Sequence, residues 1–192
     1  GFAASTAQVL STNPVPIEIV DGHVRVRATV NGHEVRLVLD TGASHVALSP
    51  QAAAAAGVQK TAKVRFGAFG SERGPARLGV AEAVAVGPAH AERVPIFIMP
   101  IPPIFDADGF VGLSFLRQFT FRLDYERKLL SFAAPGSSTL AGAGSSVVLQ
   151  VKGLLVVQAE VDGTPADFGV ETRAGQGHIP TPTKSMWFAN AN

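Results

Sequence analysis

Short apolar runs separated by turn residues fill the first two thirds of the chain and predict β-strands. Alternation of apolar and polar residues with period two is clearest in HVRVRATV (23–30) and at the start of HEVRLVLD (33–40). Asn31-Gly32 between them is a typical hairpin turn. The second run becomes apolar on both faces, so its C-terminal end is expected to enter the core.

Two helical patterns and one glycine-rich segment interrupt these strands. PQAAAAAG (50–57) predicts a short helix with Ser49 as its N-cap, and DGFVGLSFLRQF (108–119) contains a second, briefer helical pattern. FGAFGSERG (66–74) predicts the tip of a hairpin. The predicted fold class is all-β, with six to eight mostly antiparallel strands in a closed barrel or sandwich and one or two short helices.

Beyond this region the composition changes, and part of the chain is then repeated. Residues 134–146 are rich in Gly, Ser and Ala and predict a linker. Residues 20–44 align with residues 151–175 at a fixed offset, with matching turn glycines, alternate apolar positions and a Thr-x-Ala. The prediction is one domain over 14–133, this linker, and an incomplete, degenerate second copy of the domain over 147–192.

Composition excludes several classes of function. The 192 residues are 46% apolar and 16% charged, which is typical of a globular protein with a core. The net charge of +1, without a basic run, gives no electrostatic case for nucleic acid. The absence of cysteine and the scattered histidines favour neither metal nor cofactor. No apolar run approaches the roughly 18–20 residues of a membrane span.

The stretch LVLDTGAS (37–44) raises the question of function, because an apolar strand ends there in Asp40. Aspartate is common at turns, so Asp40 could be a turn residue only. If its role is chemical, the usual chemistry requires a second carboxylate. Asp106, Asp108 and Asp124 are poor candidates for it, because their sequence contexts are typical of turns.

The order of the motifs resembles the retropepsin-like aspartic proteases. These motifs are D-T-G (40–42) after an apolar strand, a glycine-rich hairpin further along, and F-V-G (110–112) before a short helix. The resemblance covers residues 14–133, a full protomer of that family. Bacterial exported members, which often carry two such domains in tandem, are the most similar.

The resemblance implies an aspartic endopeptidase in which two carboxylates, one from each of two related lobes, share a proton. Asp40 would be catalytic, Thr41 would join the two active-site loops, and Gly42 would let the substrate backbone approach. Segment 66–74 would be the flap. Residues implied to bind an extended polypeptide substrate are Ala43, Ser44, Phe69, Gly70 and Phe110.

The second carboxylate has more than one possible source. The preferred interpretation is a homodimer with Asp40 of both chains on a two-fold axis. The other source within this sequence is a degenerate second motif at Glu171 and Thr172, where Glu replaces Asp and Arg173 replaces the glycine. That motif is disfavoured because the longer side chain and the added arginine disturb a close pair. A continuation of the protein beyond Asn192 is a further possibility.

A second class of function, a peptide-binding module without catalysis, is an alternative to the protease. Catalytically inactive retropepsin-like domains can serve as peptide-binding or dimerisation modules, and residues 153–170 could also form a peptide-binding domain of PDZ type. A binding module would tolerate Asp40→Asn, whereas a protease would not. The composition, rich in Ala, Val and Gly and low in Lys, together with the tandem resemblance favours export to a bacterial periplasm, with the signal peptide absent from this sequence.

Overall fold

The computed structural model describes residues 6–66, 74–140, 150–151, 155–161, 163–172 and 185–188. The strands of its first part are β1 (Ala7–Val9), β2 (Val15–Pro16), β3 (Glu18–Val20), β4 (His23–Val30), β5 (His33–Leu39), β6 (Val46–Leu48), β7 (Gln59–Phe66), β8 (Gly74–Val86), β9 (Ala89–Ile98), β10 (Gly109–Val111), β11 (Thr120–Asp124) and β12 (Leu129–Ala133). The later strands are β13 (Gln150–Val151), β14 (Leu155–Val161), β15 (Thr164–Gly169) and β16 (Ser185–Phe188). The helices are α1 (Pro50–Ala55) and α2 (Leu113–Leu116), with a 3-10 turn over Pro103–Phe105.

The predicted all-β class with short helices is confirmed, although the strands are more numerous than expected. The run 15–20 is divided at Ile17 into β2 and β3, since each half pairs with a different neighbour: β2 with β12 and β3 with β4. The short strands β6 and β10 carry no alternating pattern, because all three residues of each are buried. The alternation of apolar and polar residues therefore cannot predict these two strands.

The largest sheet contains nine of the described strands, in the order β1-β9-β6-β10-β5-β4-β8-β7, with β3 paired to β4. β10 lies parallel to β5 and antiparallel to β6. Its Val111 pairs with Leu39, the last residue of β5. β10 is distant from β5 in the sequence, yet it lies beside the residue that precedes Asp40.

Local sequence signals account for the β4–β5 turn and for the start of α1. Asn31 and Gly32 have φ angles of +51° and +80°, the two successive positive values of a type I′ hairpin. The Ser49 hydroxyl accepts a hydrogen bond of 3.1 Å from the amide of Ala52, which caps α1. Both predictions are confirmed.

Apolar side chains cover both faces of the end of β5. Leu37 and Leu39 belong to the main core, which also contains Val111 and Phe115. Val38 points to the opposite face and joins a smaller cluster made by Ala47, Phe105 and Phe110. Because neither face is open to water, the backbone of β5 is held firmly where it leads into Asp40.

The remaining described strands form two smaller sheets, β16-β11-β12-β2 and β13-β14-β15. The β14–β15 hairpin has the register of β4–β5 at the predicted offset, since Val161 pairs with Thr164 as Val30 pairs with His33. Its Gly163 has φ +77°, close to the value of Gly32. The register supports the internal repeat, and the domain boundaries stay a prediction. In the described ranges, no helix is both long and apolar enough to cross a membrane.

Candidate active site

Asp40 directly follows β5 and is 3% exposed. Its amide donates to the carbonyl of Val111 at 3.0 Å, so β10 fixes its backbone. Its carboxylate Oδ1 accepts a hydrogen bond of 2.9 Å from the amide of Gly42, and its carbonyl accepts one of 3.3 Å from Ala43. Asp40 is thus both a turn residue and a buried carboxylate held in a defined direction.

Thr41 and Thr172 join the Asp40 loop to the second repeat by four hydrogen bonds. The amide of Thr41 donates to Thr172 Oγ1 at 3.1 Å, and the amide of Thr172 donates to Thr41 Oγ1 at 3.1 Å. The hydroxyl of Thr41 donates to the carbonyl of Val170 at 2.7 Å, and that of Thr172 to the carbonyl of Leu39 at 2.8 Å. Both threonines are buried, with exposures of 0% and 8%. The exchange is reciprocal, so a local two-fold relation links the two loops.

Gly42 separates two acidic side chains. A Cβ atom at this position would lie 2.8 Å from Cγ and 2.9 Å from Cδ of Glu171, and 3.3 Å from Oδ1 of Asp40. Only a glycine leaves room for both groups without a shift of Glu171. The structure therefore brings together Asp40 and Glu171, which the sequence analysis placed in a degenerate second motif. Arg173 lies outside the described residues.

The segment 111–114 supports the Asp40 loop from the side of the core. The amide of Leu113 donates to the carbonyl of Ala43 at 2.8 Å, and a Cβ at Gly112 would overlap the carbonyl oxygen of His45. The buried Ser114 hydroxyl accepts from the amide of Val46 at 2.9 Å and donates to the carbonyl of Pro95 at 3.1 Å. Sequence reasoning missed Ser114, although a lone hydroxyl in the apolar stretch LSFL was a usable signal.

Ser44 and His45 form a polar pair beside the loop. Ser44 Oγ lies 2.9 Å from His45 Nδ1, and the imidazole packs edge-on against Phe97 with ring centroids 4.6 Å apart. Burial, and then the positive charge of Arg117, lowers the pKa of His45. The ring therefore has a hydroxyl, an aromatic ring and a cation as neighbours.

Of the other residues predicted to bind substrate, two are buried and two lie outside the described residues. Ala43 is buried, and its main chain is used by the loop itself. Phe110 is 6% exposed and packs against Phe105 at a centroid distance of 5.1 Å, so little of its surface faces solvent. Phe69 and Gly70 lie outside the described residues, which end at the Phe66–Gly74 pair of the β7–β8 hairpin. The substrate-binding roles stay predictions.

The other aspartates considered in the sequence anchor loops, as expected of turn residues. Asp106 pairs with Arg25 at 2.7 Å and with Arg36 at 2.9 Å. Asp108 accepts a hydrogen bond of 2.8 Å from the amide of Arg36 through Oδ2. Asp124 lies at the β11–β12 turn and accepts from a turn amide at 2.9 Å. These contacts commit the three carboxylates to structural roles.

A groove of about 540 Å³ elsewhere on the main sheet is a weaker candidate for the site. Charged residues of both signs line it, including Glu18, Arg27 and Asp108, and the loop 40–44 contributes nothing to its lining. It is a wide opening on the sheet surface, away from the buried Asp40. Within the described ranges, no three His, Asp or Glu side chains are grouped closely enough to bind a metal ion.

Comparisons with known proteins point to the same loop. Residues 26–115 match the sequence profile of a family described as aspartyl protease. The chain is 26% identical over 158 residues to DNA damage-inducible protein 1 of Chaetomium globosum, covering 79% of this chain and 33% of that protein. It is 30% identical over 113 residues to the protein of the same name from Eremothecium gossypii, covering 56% and 22%. The chain thus spans a third or less of the length of these relatives.

Among solved structures, the chain is similar to a retropepsin-like aspartic protease from Rickettsia conorii. The sequence identity is 23% and the TM-score 0.48, with 68% of this chain and 95% of that chain covered. The profile match is the more informative finding, because it contains the loop that bears Asp40, β10 and most of α2. Over residues 26–115, slightly less than half of the chain, the sequence is therefore similar to the aspartyl protease family, and this region contains the loop that bears Asp40.

Proposed function

We propose that the chain is an aspartic endopeptidase that hydrolyses peptide bonds in extended polypeptides. The observation that supports the proposal best is the setting of Asp40, which is 3% exposed and hydrogen-bonded by the Gly42 amide. The loop is also fixed by reciprocal bonds between Thr41 and Thr172. A turn residue alone does not require burial of its carboxylate, which carries a desolvation penalty.

The proposed reaction uses a water held between Asp40 and a second carboxylate. The ionised member of the pair takes a proton from the water as its oxygen attacks the carbonyl carbon of the scissile bond. The protonated member donates its proton to the carbonyl oxygen, which gives a tetrahedral diol. Collapse of the diol breaks the C–N bond, a proton passes to the departing nitrogen, and a carboxylic acid and an amine are released. No covalent intermediate forms.

The proposed mode of substrate binding rests on the family resemblance. An extended peptide would lie between the 40–44 loop and the β7–β8 hairpin, whose tip corresponds to the predicted flap. Ser44 is only partly buried and can offer its hydroxyl to the substrate main chain. Export to the periplasm is likewise a proposal, which cell fractionation of the producing organism tests.

The source of the second carboxylate decides the oligomeric state of the enzyme. The homodimer predicted from the sequence would place Thr41 opposite its copy in a partner chain. In the structure, Thr41 is already bonded to Thr172 of the same chain. A homodimer would therefore have to displace residues 170–172, and it stays a prediction.

Cleavage of an unfolded protein at pH 4 to 6 tests the proposed function. The wild type is expected to produce new peptide termini, and Asp40→Asn is expected to abolish them. Asp21→Asn is the matched control, because Asp21 is exposed and has φ +50°, a conformation that Asn tolerates. A wild type that binds the substrate without cleaving it, with binding unchanged in Asp40→Asn, would contradict the proposal and identify a peptide-binding module.

A further inference from the structure

We infer that Glu171 is the second catalytic carboxylate, so that a single chain carries an Asp40–Glu171 pair. This inference rests on the proposed function and names the residue that completes its site. It reverses the preference derived from the sequence, in which the replacement of Asp by Glu counted against the second motif. The reasons are the hydrogen bonds of the two loops, the position of the Glu171 side chain, and the attachment of the C-terminal segment.

The hydrogen bonds relate the two loops residue by residue. Thr41 donates its hydroxyl proton to the carbonyl of Val170, two positions before Thr172. Thr172 donates its hydroxyl proton to the carbonyl of Leu39, two positions before Thr41. The residue between carbonyl and threonine is Asp40 in one loop and Glu171 in the other. The local two-fold relation thus maps these two carboxyl-bearing residues onto each other.

The side chain of Glu171 extends toward Asp40 across Gly42. Both Cγ and Cδ of Glu171 lie within 2.9 Å of the position that a Cβ of Gly42 would occupy, and Oδ1 of Asp40 lies 3.3 Å from the same point. Both carboxyl groups therefore border the same small space. The absence of a side chain at Gly42 leaves the space that Cγ and Cδ of Glu171 border.

The C-terminal segment is attached to the first domain at a second place. β16 pairs with β11 in an antiparallel register, from Phe121 opposite Phe188 to Asp124 opposite Ser185. It extends the sheet that β11 forms with β12 and β2. Residues 170–172 and β16 thus both contact the first domain of the same chain, so one chain brings the second motif to the Asp40 loop.

The pair accounts for both halves of the proposed reaction. The proposed reaction requires one ionised and one protonated carboxyl group beside the same water. One carboxylate then removes a proton from the water and the other protonates the carbonyl oxygen. Glutamate supplies the same functional group as aspartate, and the chemistry requires only its position.

The test compares Glu171→Gln, Glu171→Asp and Asp40→Asn with the wild type, over a range of protein concentrations. Glu160→Gln is the matched control, because Glu160 is an exposed residue of β14 in the same repeat. We expect wild-type specific activity to be independent of concentration. We expect Asp40→Asn and Glu171→Gln each to lower kcat by roughly 10²–10⁴-fold. Glu171→Asp retains a carboxylate and should be more active than Glu171→Gln.

Loss of docking must be separated from loss of chemistry in these variants. Hydrogen exchange of the Thr172 amide reports docking directly, because this amide donates to Thr41 Oγ1. Equal protection in the wild type and Glu171→Gln, with activity lost only in the variant, would support the inference. An active Glu171→Gln beside an inactive Asp40→Asn would overturn it and leave the proposed function intact. An inactive wild type would overturn the proposed function itself.

Discussion

Thr172→Val tests the link between the two loops. Valine has nearly the shape of threonine, so the change removes the hydroxyl and little else. The hydroxyl accepts from the amide of Thr41 at 3.1 Å and donates to the carbonyl of Leu39 at 2.8 Å. Both partners belong to the buried end of β5 and the loop that follows it. The variant therefore leaves one donor and one acceptor without their partner.

The magnitude follows from the burial of these groups. An orphaned buried polar group costs about 1–3 kcal/mol. Two such groups together cost about 2–6 kcal/mol in the docked state, which favours undocking of residues 170–172. Since each 1.4 kcal/mol changes an equilibrium about tenfold, protection of the Thr172 amide should fall by roughly thirtyfold or more.

Amide hydrogen exchange measures this effect residue by residue, and Thr41→Val is the matched variant. That substitution removes the other two bonds, to the carbonyl of Val170 and from the amide of Thr172. We expect the two single variants to lose similar protection. The double variant should lose less than the sum, because a segment that has already undocked has no further bonds to lose. Wild-type protection in Thr172→Val, or strict additivity, would refute the reciprocal link.

Three further predictions concern the support of the loop. Gly112→Ala should lower the free energy of unfolding, measured by urea denaturation, by about 1–3 kcal/mol, because the added Cβ overlaps backbone atoms. Gly74→Ala is the control and should change this free energy little, because a Cβ there meets open space. Burial lowers the pKa of His45 below its ordinary 6.5, so the unfolded state binds the proton more readily. His45 therefore contributes stability above that pH which is lost as the pH falls, and His45→Asn should flatten this slope. Asp106→Ala should lower the free energy of unfolding by about 1 kcal/mol, because its 76% exposed side chain leaves room for water to solvate Arg25; a loss above about 3 kcal/mol would indicate a fully buried pair.

Much of the fold and the position of Asp40 could be predicted because they depend on local signals. The Asn31-Gly32 turn, the cap at Ser49 and the apolar end of β5 each depend on a few adjacent residues. The family resemblance added the expected catalytic role of Asp40. These predictions required no knowledge of which distant segments meet.

The partner that we infer for Asp40 could not be chosen from the sequence, because it depends on a contact between residues 131 positions apart. The sequence showed that Glu171 departs from the expected aspartate, and that departure counted against it. What the sequence lacks is the path by which the second repeat returns to the first loop. Reciprocal hydrogen bonds and the empty space at Gly42 are properties of the folded chain. The placement of β10 between β5 and β6 is non-local in the same way.

The most direct measurement of the single-chain pair mixes the Asp40→Asn and Glu171→Gln variants and compares the mixture with each variant alone. If both carboxylates act within one chain, neither variant is active and the mixture is no more active than its components. Activity of Glu171→Gln alone, or recovery of activity on mixing, would contradict the account, because either result requires a carboxylate from a second chain.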